Sequence, residues 1–372
     1  MSPSRLSTVD GIPIPRVSPG SSLDDDNLRP IIRPHTAADK TGAPRSRFRL
    51  RIAAEVWRTL QYVGICLHFI APPRPPSPDF KRVADAVISD KGGRFEMQFY
   101  TPEGYGDVER GGGRFPAVVN FHGGGFTLGS GTDDARFARF VLERCRAVFV
   151  SVDYRLAPEF PFPTAVDDGA DALLYVIRNA GDLKIDPNRI ATSGFSAGGN
   201  IAITAPLRLY AYLKDKKTPE EPEHKVVAVA TWYPVTDYTL TRAERRAGAK
   251  RPDQTLPPVM TNLFDASYLF PADLDLEAPC LSPSKASDQL LMDGLPDDII
   301  MYTCEWDMLL KEGEDFACRL AAEPINKNMW YRMVDEVPHG WDKGPSPFSP
   351  PMGSEEVYGE CCDRLREIFE RS

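Results

Sequence analysis

The sequence predicts an α/β fold, with a mostly parallel central sheet, helices on both faces and a helical cap above it. Two observations carry this expectation. From residue 94 onward, short continuous apolar runs alternate with segments of helical periodicity. One interval of about sixty residues, between Val235 and Asp298, breaks that rhythm and is far longer than an ordinary connection.

The elements follow in chain order. Residues 1 to about 45 are rich in Pro, Ser, Asp and Arg, lack apolar periodicity and read as a disordered tail. From Phe48 to Ile70 apolar positions recur at helical spacing until "APPRPPSPDF" ends the pattern, placing a cap helix and linker at 46–80. "RFEMQFYTP" (Arg94–Pro102) alternates polar and apolar residues, as a half-exposed edge strand does. The run Gly111–Gly113, set among charges, is a turn. "FPAVVNF" (Phe115–Phe121), "RAVFVSVDY" (Arg146–Tyr154) and "RIATSGF" (Arg189–Phe195) are the continuous apolar runs of buried strands. Further strands are expected at Lys225–Val235, Asp298–Asp307 and Trp330–Val337. Helical patterns fall at Thr132–Cys145, Ala165–Ala180, Ala197–Leu213, Lys311–Glu323 and Glu355–Phe369. The main domain is thus 81–372, with a cap insertion at about 236–290 in which "LPPVMTNLFDASYLF" reads as an apolar helix.

Composition narrows the partners. A chain of 372 residues with 42% hydrophobic content can bury a sizeable core. Its formal net charge of −9 disfavours nucleic acid and anionic membranes, which need concentrated positive charge. The basic run "RSRFRLR" (Arg45–Arg51) is a local exception and reads as a solvated face. Seven cysteines without a C-x-x-C pair indicate neither a disulfide framework nor a zinc site, and point to a reducing compartment. With no apolar signal core and no retention signal, a cytoplasmic location is expected. No run of about 18 uncharged apolar residues exists, so no spanning helix is expected. "YVGICLHFIAPP" (Tyr62–Pro73) reads as a lid helix, with peripheral contact to a membrane interface as the alternative.

The chemistry gathers around "RIATSGFSAGGN" (Arg189–Asn200). Gly194 and Gly198 stand two positions either side of Ser196, as in a sharp strand-to-helix turn that holds a nucleophile outward; an ordinary glycine-rich turn is the alternative. A nucleophilic serine needs a base, an acid to orient that base, and N–H donors for the oxyanion. Of five histidines, His35 lies in the tail, His68 in the apolar helix and His224 in a charged segment. Only His122 and His339 follow strand carboxyl ends, where chemistry collects in wrapped parallel sheets. His122 leads into a rigid glycine run, so His339, beyond the last strand, is the candidate base. Asp307, just past a strand end and before a helix, is the candidate acid. Gly123, Gly124 and Gly125 after a buried strand offer unshielded N–H groups, and the N–H of Ala197 would complete an oxyanion hole. Phosphate cradling is disfavoured, because neither G-x-x-x-x-G-K-[ST] nor G-x-G-x-x-G occurs. "SPSK" (Ser282–Lys285) has S-x-x-K spacing but no S-D-N or K-T-G partner, and reads as coincidence.

Taken in order, "HGGGF", "DYRLAPEFPFPTAVDD", "GFSAGGN", "DMLLKEGEDFA" and "HGW" resemble the hormone-sensitive-lipase-like group of α/β-hydrolases, over roughly Phe95 to Glu370. The resemblance implies an α/β-hydrolase fold and serine carboxylester hydrolysis of a small-molecule ester without a cofactor or metal. It also implies a cap built from the N-terminal helix and the insertion after Val235. Two positions depart from the group. Phe195 stands before the nucleophile where an acidic residue is common, placing a ring there as a candidate substrate-binding residue, and Asp307 is followed by Met308 rather than Pro. Receptors of the same group have lost the histidine, whereas His339 stands here.

The expected activity is hydrolysis of short-to-medium acyl esters through an acyl-enzyme, with Ser196, His339 and Asp307 as the triad. Acyl transfer or lactone opening, and non-catalytic small-molecule binding, are the alternatives. Trp57, Tyr62, Phe69, Phe264, Tyr268 and Phe270 are expected to form the apolar cap over the site.

Overall fold

The computed structural model describes residues 45–108, 114–215 and 221–372. The predicted tail, apart from Arg45, and the Gly111–Gly113 turn lie outside these residues. The chain folds into an eight-stranded sheet in the order β1-β2-β4-β3-β5-β6-β7-β8. Its strands are β1 Phe80–Asp85, β2 Arg94–Tyr100, β3 Phe115–Phe121, β4 Val148–Asp153, β5 Ile185–Phe195, β6 Val226–Trp232, β7 Asp298–Cys304 and β8 Asn328–Val334. The pairs β1/β2 and β2/β4 are antiparallel, and the remaining pairs are parallel.

The sequence reading is corrected at two strands. β1 opens the main domain, in a stretch to which the sequence assigns no element, and β2 is flanked by β1 and β4 rather than being the edge. β1 escapes a local reading because only Ala84 of its six residues is buried, so its charged side chains carry no strand pattern.

Alternation along the central strands feeds two apolar layers. In β7, Ile299 and Met301 join one layer while Ile300, Tyr302 and Cys304 join the other. The first layer is covered by α3 (Thr164–Arg178) and α4 (Ala197–Leu213). α2 (Ala135–Phe140, continued by a π-turn at Val141–Cys145) and α9 (Ser354–Arg371) cover the second.

Above the strand carboxyl ends lie α1 (Arg47–Ile70) and, in the insertion, α5 (Arg242–Gly248) and α6 (Pro258–Tyr268). In contrast, α7 (Asp288–Gly294) returns to the strand amino ends, where Asp293 accepts from Tyr210 at the end of α4 and Lys327 before β8 donates to Met292 O. α5 starts with a capping box between Thr241 and Glu244. Arg242 grips Asp265 of α6 with two hydrogen bonds, at 3.0 and 2.7 Å. Arg245 of α5 pairs at 2.6 Å with Glu312 of α8 (Leu310–Ala321), both side chains being almost wholly buried. Glu312 also accepts the Thr236 N–H at 2.9 Å, and burial pushes its carboxyl above the usual value. The S-x-x-K pair is structural: Ser282 is buried and donates to Leu276 O at 2.6 Å, while Lys285 pairs with Asp237 at 2.9 Å.

A buried pair broken on one side leaves an uncompensated charge. Arg245→Leu is therefore expected to lower the unfolding free energy by about 3–5 kcal/mol in urea titrations, and Arg245→Leu/Glu312→Leu to recover most of the loss. An Arg245→Leu protein as stable as wild type would show that this strut carries no stability.

Candidate active site

The turn from β5 into α4 puts Ser196 at φ 54° and ψ −115°, a region that costs an L-residue about 1–3 kcal/mol and persists only when its surroundings enforce it. The enforcement is visible. A Cβ on Gly194 would sit 2.1 Å from Gly198 O, and one on Gly198 would sit 1.9 Å from Phe121 O. Only glycine allows β3, β5 and α4 to approach this closely. Hydrogen bonds from Ser196 N to Trp232 O (2.9 Å) and from Asn200 N to Ser196 O (3.1 Å) hold the turn on both sides.

The loops after β7 and β8 are spliced together by Glu305 N to Val334 O (3.0 Å) and Trp306 N to Val337 O (3.1 Å). This sets Asp307 beside His339. His339 Nδ1 lies 2.6 Å from Asp307 Oδ2, and its Nε2 lies 2.8 Å from Ser196 Oγ. A carboxylate only accepts, so Nδ1 carries the proton and Nε2 is left to accept from the serine hydroxyl. Asp307 is 1% exposed, and its second oxygen accepts the Leu309 N–H at 3.0 Å.

The glycine turn is oriented by its carbonyls. His122 Nδ1 donates to Gly123 O at 2.8 Å, and Leu128 N donates to Gly124 O at 2.9 Å. In a trans peptide the next N–H points opposite its carbonyl, so the N–H groups of Gly124 and Gly125 face away from these anchors. The carbonyl of Ser196 is likewise engaged by α4, which turns the Ala197 N–H out of the helix N-terminus. His122 is buried, stacked on Tyr154 with centroids 4.3 Å apart, and its role is to brace this turn. Sequence reasoning weighs His122 only as a base and misses that role.

Ser196, His339, Phe195 and Gly123 to Gly125 border one cavity of about 380 Å³. Of the six cap residues expected to close it, Trp57 and Phe264 line it. Tyr62 and Phe270 are exposed, Tyr268 is stacked on Phe126, and Phe69 packs against the second apolar layer. Helical spacing marks which residues share a face but not which face turns inward. Phe195 is 1% exposed, with Trp232 stacked on its ring at 4.4 Å and Lys343 Nζ over it at 3.7 Å. These two groups hold the Phe195 ring next to the serine at the border of the cavity.

Polar groups unseen in the sequence complete the wall. Gln61 Nε2 donates to Asp133 Oδ2 at 2.9 Å, and the Ser130 hydroxyl donates to Oδ1 at 2.7 Å. Burial pushes the Asp133 carboxyl above its usual value, opposed by His122 and Ser130. Because the carboxylate fixes the amide's orientation, Gln61 Oε1 faces the other way, buried and without a hydrogen-bond partner among the described residues. Lys343 pairs with Asp134 at 2.8 Å, and both also line the cavity. Burial works to lower its ammonium, but Asp134, with help from Asp342, outweighs this and holds it above its ordinary value. Asp342 accepts from Tyr233 and Tyr358, and the Tyr233 ring lies 4.7 Å from that of His339.

A sequence family described as alpha/beta hydrolase fold matches residues 118–343. The chain belongs to this family. Within it, the chain falls in the hormone-sensitive-lipase-like group that its motifs resemble. This α/β-hydrolase is 34% identical over 204 residues to an arylesterase of Saccharolobus solfataricus, covering 55% of this chain and 61% of that protein. It is 53% identical over 90 residues to an AB hydrolase superfamily protein of Schizosaccharomyces pombe, covering 24% and 26% of the two chains. It therefore spans less than two thirds of either relative. A hyperthermophilic esterase from the archaeon Pyrobaculum calidifontis superposes with a TM-score of 0.68 at 26% identity, covering 88% of this chain and 99% of that one.

Two glycines in this α/β-hydrolase site are expected to respond differently to alanine. Gly198→Ala drives a Cβ into backbone carbonyls and should abolish the cooperative thermal melt. Gly125→Ala meets the Phe264 side chain at 2.3 Å, and α6 can yield. Apart from a backbone cost of about 1–2 kcal/mol at its φ of 60°, that variant should fold and melt a few degrees lower. Equal melts for both would contradict the close-approach account.

Proposed function

We propose that this chain is a serine carboxylester hydrolase acting through an acyl-enzyme on esters with short-to-medium acyl chains. The observation that carries the reading is the unbroken hydrogen-bonded line from Asp307 through His339 to Ser196, at 2.6 and 2.8 Å, beside the glycine turn. Ser196 Oγ attacks the ester carbonyl as His339 Nε2 takes its proton. The resulting oxyanion is held by the N–H groups of Gly124, Gly125 and Ala197, with Gly123 shaping the turn. Collapse of this intermediate expels the alcohol, which leaves with the proton from His339. A water then attacks the acyl-serine by the same route, giving the acid and restoring the enzyme. Asp307 keeps the imidazole in the required tautomer throughout. No step requires a cofactor.

The names of the relatives, arylesterase and esterase among them, support this reading. Seven unpaired cysteines support a reducing, cytoplasmic setting.

With purified full-length protein, Ser196→Ala is expected to lower kcat on 4-nitrophenyl butyrate by about a thousandfold or more. Equal rates would overturn the assignment. A cavity of about 380 Å³ is at the small end for a ligand site. Each buried acyl methylene contributes about 0.8 kcal/mol, or about fourfold in kcat/KM, until the space is full. Across a 4-nitrophenyl ester series kcat/KM should therefore peak at a short-to-medium chain. A steady rise to palmitate would show the pocket to be an open groove.

A further inference from the structure

The cap helix carries apolar residues on two sides. One side, with Leu50, Ala54 and Ile65, is buried against the protein. On the other, Phe48, Ile52, Val56, Leu60, Val63 and Leu67 recur at three- and four-residue spacing and are 71, 52, 55, 55, 51 and 41% exposed. At 1.5 Å per residue this ridge is about 28 Å long. Tyr62 and Ile70, at 70 and 50% exposed, widen it, and no charged side chain occurs from Thr59 to Ile70. On the inner side of the helix, the buried His68 Nδ1 lies 3.2 Å from the carbonyl of Gly344, which ties the following segment to α1. In that segment Phe348 and Met352 are 88 and 91% exposed. A soluble monomer rarely leaves so long an apolar surface uncovered unless something binds it.

Charge selects the occupant. Residues 45–74 contain six arginines and one glutamate, a surplus of five positive charges in a chain whose net charge is −9. Of the arginines, Arg47 and Arg58 are turned to the body and Arg51 pairs with Glu159 at 3.0 Å, while Arg45 and Arg49 are exposed at one end of the ridge and Arg74 just beyond the other. A second copy packed through this face would set two cationic stretches together, with Glu55 of each already paired to its own Arg58 at 2.7 Å. A lamellar surface of anionic lipid offers both what the ridge needs, an apolar interior, and what the arginines need, a negative boundary.

We propose that the outer face of α1 docks this protein on anionic phospholipid membranes. Leu60 lies on the ridge and also lines the active-site cavity, so the docked face reaches the cavity rim. If the esterase reading holds, membrane-dissolved esters would enter from there. Docking itself does not depend on turnover, so it is measured separately.

The experiment is cosedimentation of full-length protein with vesicles of phosphatidylcholine alone or with about 30% phosphatidylserine, at low salt and at 0.5 M salt. Wild type is expected to bind the phosphatidylserine vesicles at least about tenfold more tightly than neutral ones, and to release at high salt. Val56→Glu/Leu67→Glu, both on the exposed ridge and outside the cavity, should abolish binding while keeping the thermal melt and 4-nitrophenyl acetate hydrolysis of wild type. Wild type that ignores anionic vesicles, or a double variant that binds them equally, overturns the proposal. So does a wild-type dimer that fails to bind vesicles and that the same double variant converts to monomer, because the ridge is then an interface between copies. Loss of esterase activity in Ser196→Ala with vesicle binding intact keeps the two proposals distinguishable.

Discussion

The close crossing of backbones at Gly198 is the constraint on which the rest of the site depends. A methyl group there would lie 1.9 Å from Phe121 O, so the end of β3 and the start of α4 touch with nothing between them. The glycine turn leaves β3 at that contact and Ser196 leaves β5 at the same contact. Nucleophile and N–H donors are therefore positioned against each other by one steric fact rather than by two flexible loops. The strain at Ser196 is sustained because relaxing it would have to separate those strands, which are hydrogen-bonded from Ala117/Ile190 to Phe121/Gly194.

A second layer of constraint places the base. His339 lies on a loop, yet its neighbours are held by the splice between the β7 and β8 loops and by the ring of Tyr233. Tyr233 is in turn fixed by Asp342, and Asp342 lies 3.4 Å from the same Lys343 that caps the face of Phe195. Replacement of an acidic residue by Phe195 thus fits its surroundings. The ring closes an aromatic stack through Trp232 to Tyr302, and the positive charge over it is balanced by carboxylates rather than by the residue before the serine.

Much of this was legible in the chain because parallel α/β folds collect their chemistry at strand carboxyl ends. Ser196, Asp307 and His339 each follow an apolar run and could be ranked by position alone, and the structure brings the three together. What escaped was whatever depends on a distant partner. β1 has little apolar signal of its own and exists because β2 pairs with it. Gln61 meets Asp133 across 72 positions, with no local pattern to mark either as a wall of the cavity. The inward and outward sides of α1 cannot be told apart by pattern, because both are apolar. The acidic net charge likewise conceals a helix whose own balance is strongly basic.

That two-sided helix is held to the body largely by polar clamps. Arg47 donates to Pro158 O and Ser267 O, and Arg58 donates to Thr127 O (2.9 Å) and Ala157 O (2.9 Å). Glu159 receives both Arg51 (3.0 Å) and Arg58 (3.2 Å), while Arg136 reaches back to His68 O and Ala71 O. Such bonds are directional, so they set where α1 sits more sharply than apolar contact alone would. One of them has a further reach. Thr127, whose carbonyl Arg58 holds, donates its hydroxyl to Gly125 O at 3.0 Å and its N–H to Gly124 O at 3.1 Å. α1 is therefore joined through Arg58 and Thr127 to the glycine turn, including the peptide that carries the Gly125 N–H, so one hydrogen-bonded chain holds the cap and the turn in register.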